Sequence, residues 1–85
     1  MHFEATRRFQ KDYKNLPVEI KDLFKKKLKL LIEDPQHPSL RHKKMVGYDR
    51  VFEFSITTNY RVTYERIGDE GLLRRIGTHN ILKQP

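Results

Sequence analysis

The chain has 85 residues and no cysteine, so it suits one small domain that no disulfide or thiolate-bound metal can reinforce. Eighteen Lys and Arg against eleven Asp and Glu give a net charge of +7, which favours nucleic acid or an acidic protein as partner. The sequence contains no run of about 18 apolar residues and no signal-peptide pattern, so we expect a cytoplasmic protein without a membrane-spanning helix.

The N-terminal third is predicted to contain an edge strand, over residues 1–5, and a first helix. Thr6 is of a residue type that caps helix N-termini. The apolar residues that follow recur at helical spacing: Phe9, Tyr13 and Leu16. The helix is predicted to end there, because a residue that precedes a proline avoids the helical region.

A second helix is predicted to begin with Pro17 at its first position, where a missing N–H costs nothing. It is predicted to run to about Glu33, and Asp34-Pro35 ends it. Its apolar stripe consists of Ile20, Phe24, Leu28 and Leu31. The two helices therefore form an αα-hairpin.

Beyond the loop 36–40 the hydrophobic period changes from 3.6 to 2, which is typical of strands. The predicted strands cover residues 43–46, 51–56, 60–64 and 72–77. Turn residues separate them at 57–59 and at 68–71. We therefore predict an α+β fold, with the αα-hairpin packed on one face of a three- to four-stranded antiparallel sheet, in a single domain over residues 1–85.

The alternation also places polar side chains on the face of the sheet that the helices leave open: Glu53, Ser55, Arg61 and Thr63. If Ile76 faces the core, Arg75 and His79 lie on the same open face. That register predicts that Leu73 is exposed and that Arg74 lies at the edge of the core.

Three segments of the sequence carry a resemblance to a known family: HPSLRHKKMVG at 37–47, NYRVTY at 59–64 and RIGTHNIL at 75–82. In this order, after two helices, they resemble the RelE/ParE toxin superfamily. The last segment is especially similar to the YafQ-type ribosome-dependent mRNA interferases. Phe52 and Phe54 stand where the RelE-type branch has lysines, which favours the YafQ-like chemistry based on histidine.

The resemblance implies a ribonuclease that needs no metal or other cofactor, cleaves mRNA in the ribosomal A site and is neutralised by a cognate antitoxin. Arg61 matches the arginine of the family's YR-x-x-Y strand, which implies a role at the phosphate. His79 matches the histidine of the family's GTH ending, which implies an acid or a base. His42 stands at a position similar to an active-site histidine of the YafQ-type toxins, and His37 competes for the same correspondence.

The resemblance also implies a set of side chains that bind RNA phosphates: Arg41, Lys43, Lys44 and Arg75. For Glu53 we favour a pairing role with Arg61 over a role as base. Many family ribonucleases have an aromatic residue just after the final catalytic side chain, but none follows His79 here. Tyr48 and Tyr60 are the candidates to replace it by stacking on a base.

The expected partners are mRNA, ribosomal RNA and an acidic antitoxin whose disordered tail folds on binding. Two alternatives stay open at this point: a ParE-like inhibitor of DNA gyrase, and a basic nucleic-acid-binding module without catalysis. His79→Ala separates them from a ribonuclease, because only a ribonuclease needs that imidazole. The four histidines lack the spacing of a metal site, and we predict none.

Overall fold

The computed structural model describes residues 1–85. The chain begins with a strand, and two helices come next. The elements are the strands β1 (His2–Ala5), β2 (Lys43–Lys44), β3 (Val51–Ser55), β4 (Tyr60–Ile67) and β5 (Glu70–Thr78), the helices α1 (Arg7–Lys14) and α2 (Val18–Glu33), and the 3-10 helices Pro38–Leu40 and His79–Lys83. Neither α-helix is both long and apolar enough to cross a membrane.

The sheet has five strands in the order β1-β5-β4-β3-β2. The strand β1 lies parallel to β5, and every other pair is antiparallel. The predicted α+β architecture is therefore confirmed, but the predicted count of three to four strands is too low. The two outer strands are the short segments expected at 1–5 and 43–46, and both belong to the sheet although they are only four and two residues long.

The predicted helix boundaries agree with the structure except at two positions, one of which is the end of α1 at Lys14, two residues before the predicted end at Leu16. The Thr6 hydroxyl accepts the N–H of Phe9 at 3.1 Å and so caps α1 as expected. Pro17 is the N-cap of α2 and has an extended ψ of 148°, so it precedes the first helical residue instead of being that residue. The helix ends at Glu33, before Asp34-Pro35, as predicted.

The core lies between the helices and one face of the sheet. Its buried cluster consists of Phe9, Phe24, Leu31, Leu40, Phe54, Ile56, Val62, Tyr64, Leu73 and Ile76. Phe54, Val62 and Ile76 face one another across β3, β4 and β5, which confirms the alternation predicted for the middle of the sheet.

An irregularity in β5 changes which of its residues face the core. Thr63 pairs with Arg75, but the next residue, Tyr64, pairs with Leu73, so Arg74 is an extra residue in the ladder. The bulge brings both Leu73, 5% exposed, and Ile76, 2% exposed, to the core although they differ in parity. The expectation of an exposed Leu73 is therefore wrong, because strict alternation does not hold across a bulge.

Candidate active site

Two rows of side chains cross the sheet on the side opposite the core. Ser55, Arg61 and Gly77 pair directly across β3, β4 and β5. The neighbouring row consists of Glu53, Thr63 and Arg75. Because the residues between the two rows belong to the core, both rows point away from it. We call these six residues the polar face.

Arg61 is held in the middle of the polar face. One Nη of its guanidinium donates to the Ser55 hydroxyl, and its Nε lies 4.0 Å from a carboxylate oxygen of Glu53. The side chain is 14% exposed, so these partners compensate a charge that is largely removed from water. The Nε–H of Arg61 and the hydroxyl of Thr63 are buried without a hydrogen-bond partner, so two polar groups of this face remain unsatisfied within the chain.

The polar face is more enclosed than the alternation predicted. Glu53, Ser55 and Thr63 are all buried, with Glu53 only 7% exposed. The 3-10 helix His79–Lys83 covers this face at Gly77. Its Ile81 lies so close that a Cβ added at Gly77 would be 2.9 Å from the Cγ2 of Ile81. Ile81 is buried, yet it does not belong to the core cluster. The expectation of an open face is corrected: its edge is accessible, and its centre is covered.

His79 lies at the end of β5, on the rim of the polar face. Tyr60 pairs with Thr78, the last residue of β5, and His79 is the next residue along the chain. His79 is exposed and lines an open cleft of about 590 Å3 that contains Asn59 and Tyr60. Of the two tyrosines considered as substitutes for the absent aromatic residue, the structure therefore places Tyr60 beside His79.

His42 lies on the opposite side of the sheet from Arg61. Its Nε2 is 2.7 Å from the Tyr64 hydroxyl, and its ring stacks on Tyr64 and packs on Phe52. Burial lowers the pKa of His42 below 6.5, and the Pro35 carbonyl only partly opposes this effect. Burial likewise raises the pKa of Tyr64 to about 12. The predicted grouping of His42 with Arg61 and His79 is therefore wrong, because Tyr64 is a core residue on the helix side.

The basic segment before β3 divides between the two sides of the sheet. Lys43 pairs with Glu53 and so extends the polar face, whereas Lys44 pairs with Phe52 on the helix side. Arg41 is exposed and follows the first 3-10 helix with a left-handed backbone, at a φ of 47°. Of the predicted phosphate-binding residues in this segment, Lys43 is the one on the same side of the sheet as Arg61, in the neighbouring row of Glu53 and Thr63.

Arg75 makes a salt bridge that sequence patterns did not indicate. Its Nε donates to Asp12 at 2.7 Å, and one Nη donates to the Gln84 carbonyl at 3.0 Å. Asp12 also accepts the N–H of Ile76, because β1 stops opposite Leu73 and leaves the edge of β5 without a partner strand. Arg75 therefore fastens α1 to this edge, and its donors are not free for a phosphate. The one feature of the sequence that pointed to this salt bridge was Asp12 itself, the acidic residue of the otherwise basic helix α1.

Two further candidates from the sequence lie in loops. The Nδ1 of His37 accepts the N–H of Ser39 at 3.2 Å, so this ring caps the 3-10 helix that follows it. Tyr48 is exposed in the loop between β2 and β3 and lines a recess with Arg74 and Pro85. No group of three or more His, Cys, Asp or Glu side chains is placed so that it could hold a metal ion.

The family model described as ParE toxin of type II toxin-antitoxin system, parDE, matches residues 3–81. The solved structure of YafQ from E. coli strain BL21(DE3) is 18% identical, with 94% of each chain covered and a TM-score of 0.77. The E. coli DinJ-YafQ toxin-antitoxin complex is 18% identical over 94% of this chain and 93% of that chain, with a TM-score of 0.78. The RelB-RelE antitoxin-toxin complex from Methanococcus jannaschii is 28% identical over 98% and 95%, with a TM-score of 0.68. No curated protein matches the sequence.

Proposed function

Because the chain belongs to the ParE toxin family of type II toxin-antitoxin systems, within the RelE/ParE superfamily, we propose that it is an endoribonuclease that cleaves mRNA on the ribosome. The observation that carries the proposal is that Arg61 lies in the polar face and His79 at its rim, two residues beyond Gly77, which pairs with Arg61. Phosphodiester cleavage without a metal needs positive charge at the phosphate and a group that transfers protons, which a guanidinium and an imidazole can supply.

In the proposed reaction the 2′-hydroxyl of the RNA attacks the adjacent phosphorus. A base takes the proton of that hydroxyl, the 2′ oxygen bonds to phosphorus, and the bond to the 5′ oxygen breaks. An acid protonates the departing 5′ oxygen, which leaves a 2′,3′-cyclic phosphate and a 5′-hydroxyl. Imidazole can act in either proton transfer near neutral pH, so His79 is assigned one of them.

Arg61 is assigned to the charge that develops on the phosphate. Its guanidinium carries a fixed positive charge and forked N–H donors, the geometry that suits phosphate oxygens. Glu53 holds the guanidinium in place, and Lys43 adds positive charge on the same face. No step of the reaction is assigned to His42, because it lies on the opposite side of the sheet from Arg61.

The proposed partner in the neutralised state is an acidic antitoxin. RelB and DinJ are the antitoxins in the complexes named above. A net charge of +7 favours an acidic segment, and a partner that binds only the folded chain stabilises it by mass action. The action itself is proposed to take place in the cytoplasm.

Primer extension on a reporter mRNA tests the proposal, with purified protein and with ribosomes either present or absent. We expect discrete cuts aligned with codons when ribosomes are present. His79→Ala should abolish them, and His2→Ala, which removes an exposed imidazole on β1, should not. An intact message with active wild-type protein in both conditions would refute the proposal.

Inhibition of DNA gyrase is the second candidate, because the matching family model is that of the ParE toxins. It requires no acid or base, so His79→Ala would leave it largely unchanged. A gyrase supercoiling assay with wild-type protein and this variant separates the two functions: inhibition by both proteins, together with intact mRNA, would favour the gyrase alternative.

A further inference from the structure

Three polar side chains form a cluster away from the polar face, where α2 meets the first 3-10 helix. The Ser39 hydroxyl lies 2.9 Å from the Nζ of Lys27 and 2.9 Å from the Nδ1 of His37. Ser39 is exposed, whereas the other serine of the chain, Ser55, is buried beside Arg61. We call Lys27, His37 and Ser39 the Ser39 cluster, and no step of the proposed reaction uses it.

The backbone fixes which atom donates to which in the Ser39 cluster. The N–H of Ser39 donates to the Nδ1 of His37 at 3.2 Å, so this nitrogen carries a lone pair and no proton. The hydroxyl of Ser39 therefore donates to Nδ1, and the ammonium of Lys27 donates to the hydroxyl oxygen. A hydroxyl between a base and a cation is activated as a nucleophile, because the base can accept its proton and the cation stabilises the developing negative charge.

The ammonium of Lys27 has no counter-ion in the chain. No carboxylate lies within 4.0 Å of it, and its one side-chain partner is the neutral hydroxyl of Ser39. A phosphoserine carries a charge of about −1.5 to −2 at neutral pH and three acceptor oxygens. A phosphoryl group on Ser39 would therefore supply the missing negative charge where the ammonium already points.

We propose that Ser39 is a phosphorylation site. Its Oγ attacks the γ-phosphorus of a nucleoside triphosphate, the Oγ–P bond forms, and the bond from that phosphorus to the bridging oxygen breaks. The nucleoside diphosphate leaves, and the hydroxyl proton passes to the Nδ1 of His37. The triphosphate is brought by a protein kinase, to which the exposed residues Gln36, Pro38 and Ser39 are accessible.

Phosphorylation would weaken the positive charge beside the polar face. A phosphate dianion lowers the net charge from +7 to about +5. Ser39 lies four residues before Lys43, which extends the polar face. The modified chain is therefore expected to bind RNA more weakly. This consequence rests on the proposed function, whereas the phosphorylation site itself does not.

Diisopropyl fluorophosphate tests the reactivity of the hydroxyl on the full chain, because this probe forms a P–O bond and releases fluoride without an enzyme. Mass spectrometry after digestion locates the adduct. We expect labelling at Ser39, and His37→Gln should slow it about 100-fold, the loss of a general base. His2→Gln removes an exposed imidazole elsewhere and is the matched control. No labelling of Ser39, or an unchanged rate in His37→Gln, would overturn the proposal.

A second measurement tests whether the Ser39 cluster binds the phosphoryl group once it is attached. The full chain is made with phosphoserine at position 39, and 31P NMR follows the second pKa of the phosphate, which is ordinarily about 6. We expect this pKa to be lower in the folded chain, and to return to the ordinary value in urea or in Lys27→Ala. Lys26→Ala removes an exposed neighbouring charge and should leave it low. Equal values in the folded and unfolded chains would overturn the proposal.

Fluorescence anisotropy with a short RNA then compares the modified and unmodified chains in the His79→Ala background. Equal affinities would refute the effect of phosphorylation on RNA binding. An unmodified chain that binds no RNA would count against the proposed function alone, and the labelling and the 31P titration would still decide the phosphorylation site.

Discussion

At the scale of single residues, the contacts of Arg61 depend on the planar shape of its guanidinium. One Nη of the guanidinium donates to Ser55 and the Nε lies beside Glu53, so the plane of the whole group is fixed. A lysine has a single flexible ammonium group and cannot keep all of these contacts. Arg61→Lys is therefore expected to lower the cleavage rate by about 100-fold.

The measurement is the rate of cutting of a programmed ribosomal complex, with urea unfolding as a check that the variant is folded. Arg50→Lys is the matched control, because Arg50 pairs with Glu65 at the surface. A wild-type rate in Arg61→Lys would exclude the guanidinium from the reaction.

The contact between His42 and Tyr64 predicts a pH dependence of stability. Because burial lowers the pKa of His42, the folded state binds a proton less readily than the unfolded state, whose histidine has the ordinary pKa of 6.5. The contribution to stability is therefore complete above about pH 6.5 and is lost as the pH falls toward the folded pKa.

Urea unfolding at about pH 7.5 and about pH 5.5 measures this effect. We expect the free energy of unfolding of the wild type to fall between these values, and that of His42→Gln to fall less. His2→Gln removes an imidazole that is 71% exposed and serves as control. Equal losses in wild type and His42→Gln would show that His42 does not contribute.

The residues of the candidate site could be predicted from the sequence to different degrees. The side of the sheet on which Arg61 and Glu53 lie follows from strand alternation, which depends on backbone geometry alone. The position of His42 could not be predicted, because the loop before β2 has no period that says which way a ring points. Asp12 was missed since its partner, Arg75, is close only through the tertiary fold.

At the scale of elements, the sheet contains two features that the alternation of apolar and polar residues does not predict. The bulge at Arg74 shifts the parity of β5 by one residue, and the sequence LLRRI allows either register. The parallel pairing of β1 with β5 depends on contacts between residues far apart in the chain. The αα-hairpin, by contrast, was predictable because caps, prolines and helical spacing all act locally.

The pairing of β1 with β5 depends on a glycine. Phe3 pairs with Gly71, and a Cβ added there would lie 2.2 Å from the ring of Phe3. That distance is far inside van der Waals contact, so the ring would have to move away from Tyr64, which it meets edge-on at 5.3 Å. Gly71→Ala is therefore expected to destabilise the fold by about 2 kcal/mol, measured by urea unfolding.

A double-mutant cycle with Phe3→Leu provides the control. Removal of the ring creates room for the new methyl group, so the cost of Gly71→Ala should become smaller in the Phe3→Leu background. If the two costs simply add, the ring of Phe3 is not what the methyl group meets.

At the scale of the whole molecule, the charge of +7 predicts that RNA binding depends on salt. Each phosphate contact to a single strand contributes about 0.7 to the slope of log K against log salt concentration. Lys43 extends the polar face and is exposed, so Lys43→Ala should reduce this slope by about one contact's worth.

The slope is best measured by fluorescence anisotropy with a short RNA, in the His79→Ala background so that the strand stays intact. Lys29→Ala removes an equally exposed charge from α2 and is the matched control. An unchanged slope in Lys43→Ala would mean that this side chain makes no phosphate contact.

The pairing of the first strand with the last has a consequence for the synthesis of the protein. The Thr6 hydroxyl donates to the Leu73 carbonyl across 67 positions of sequence, and β5 lies between β1 and β4 in the sheet. While the chain is still being made, β4 therefore lacks the neighbour that completes the rows around Arg61. The sheet can close only after β5 has emerged from the exit tunnel, and such distant closure is slow compared with helix formation. A nascent chain is consequently without a complete polar face until β5 has joined the sheet.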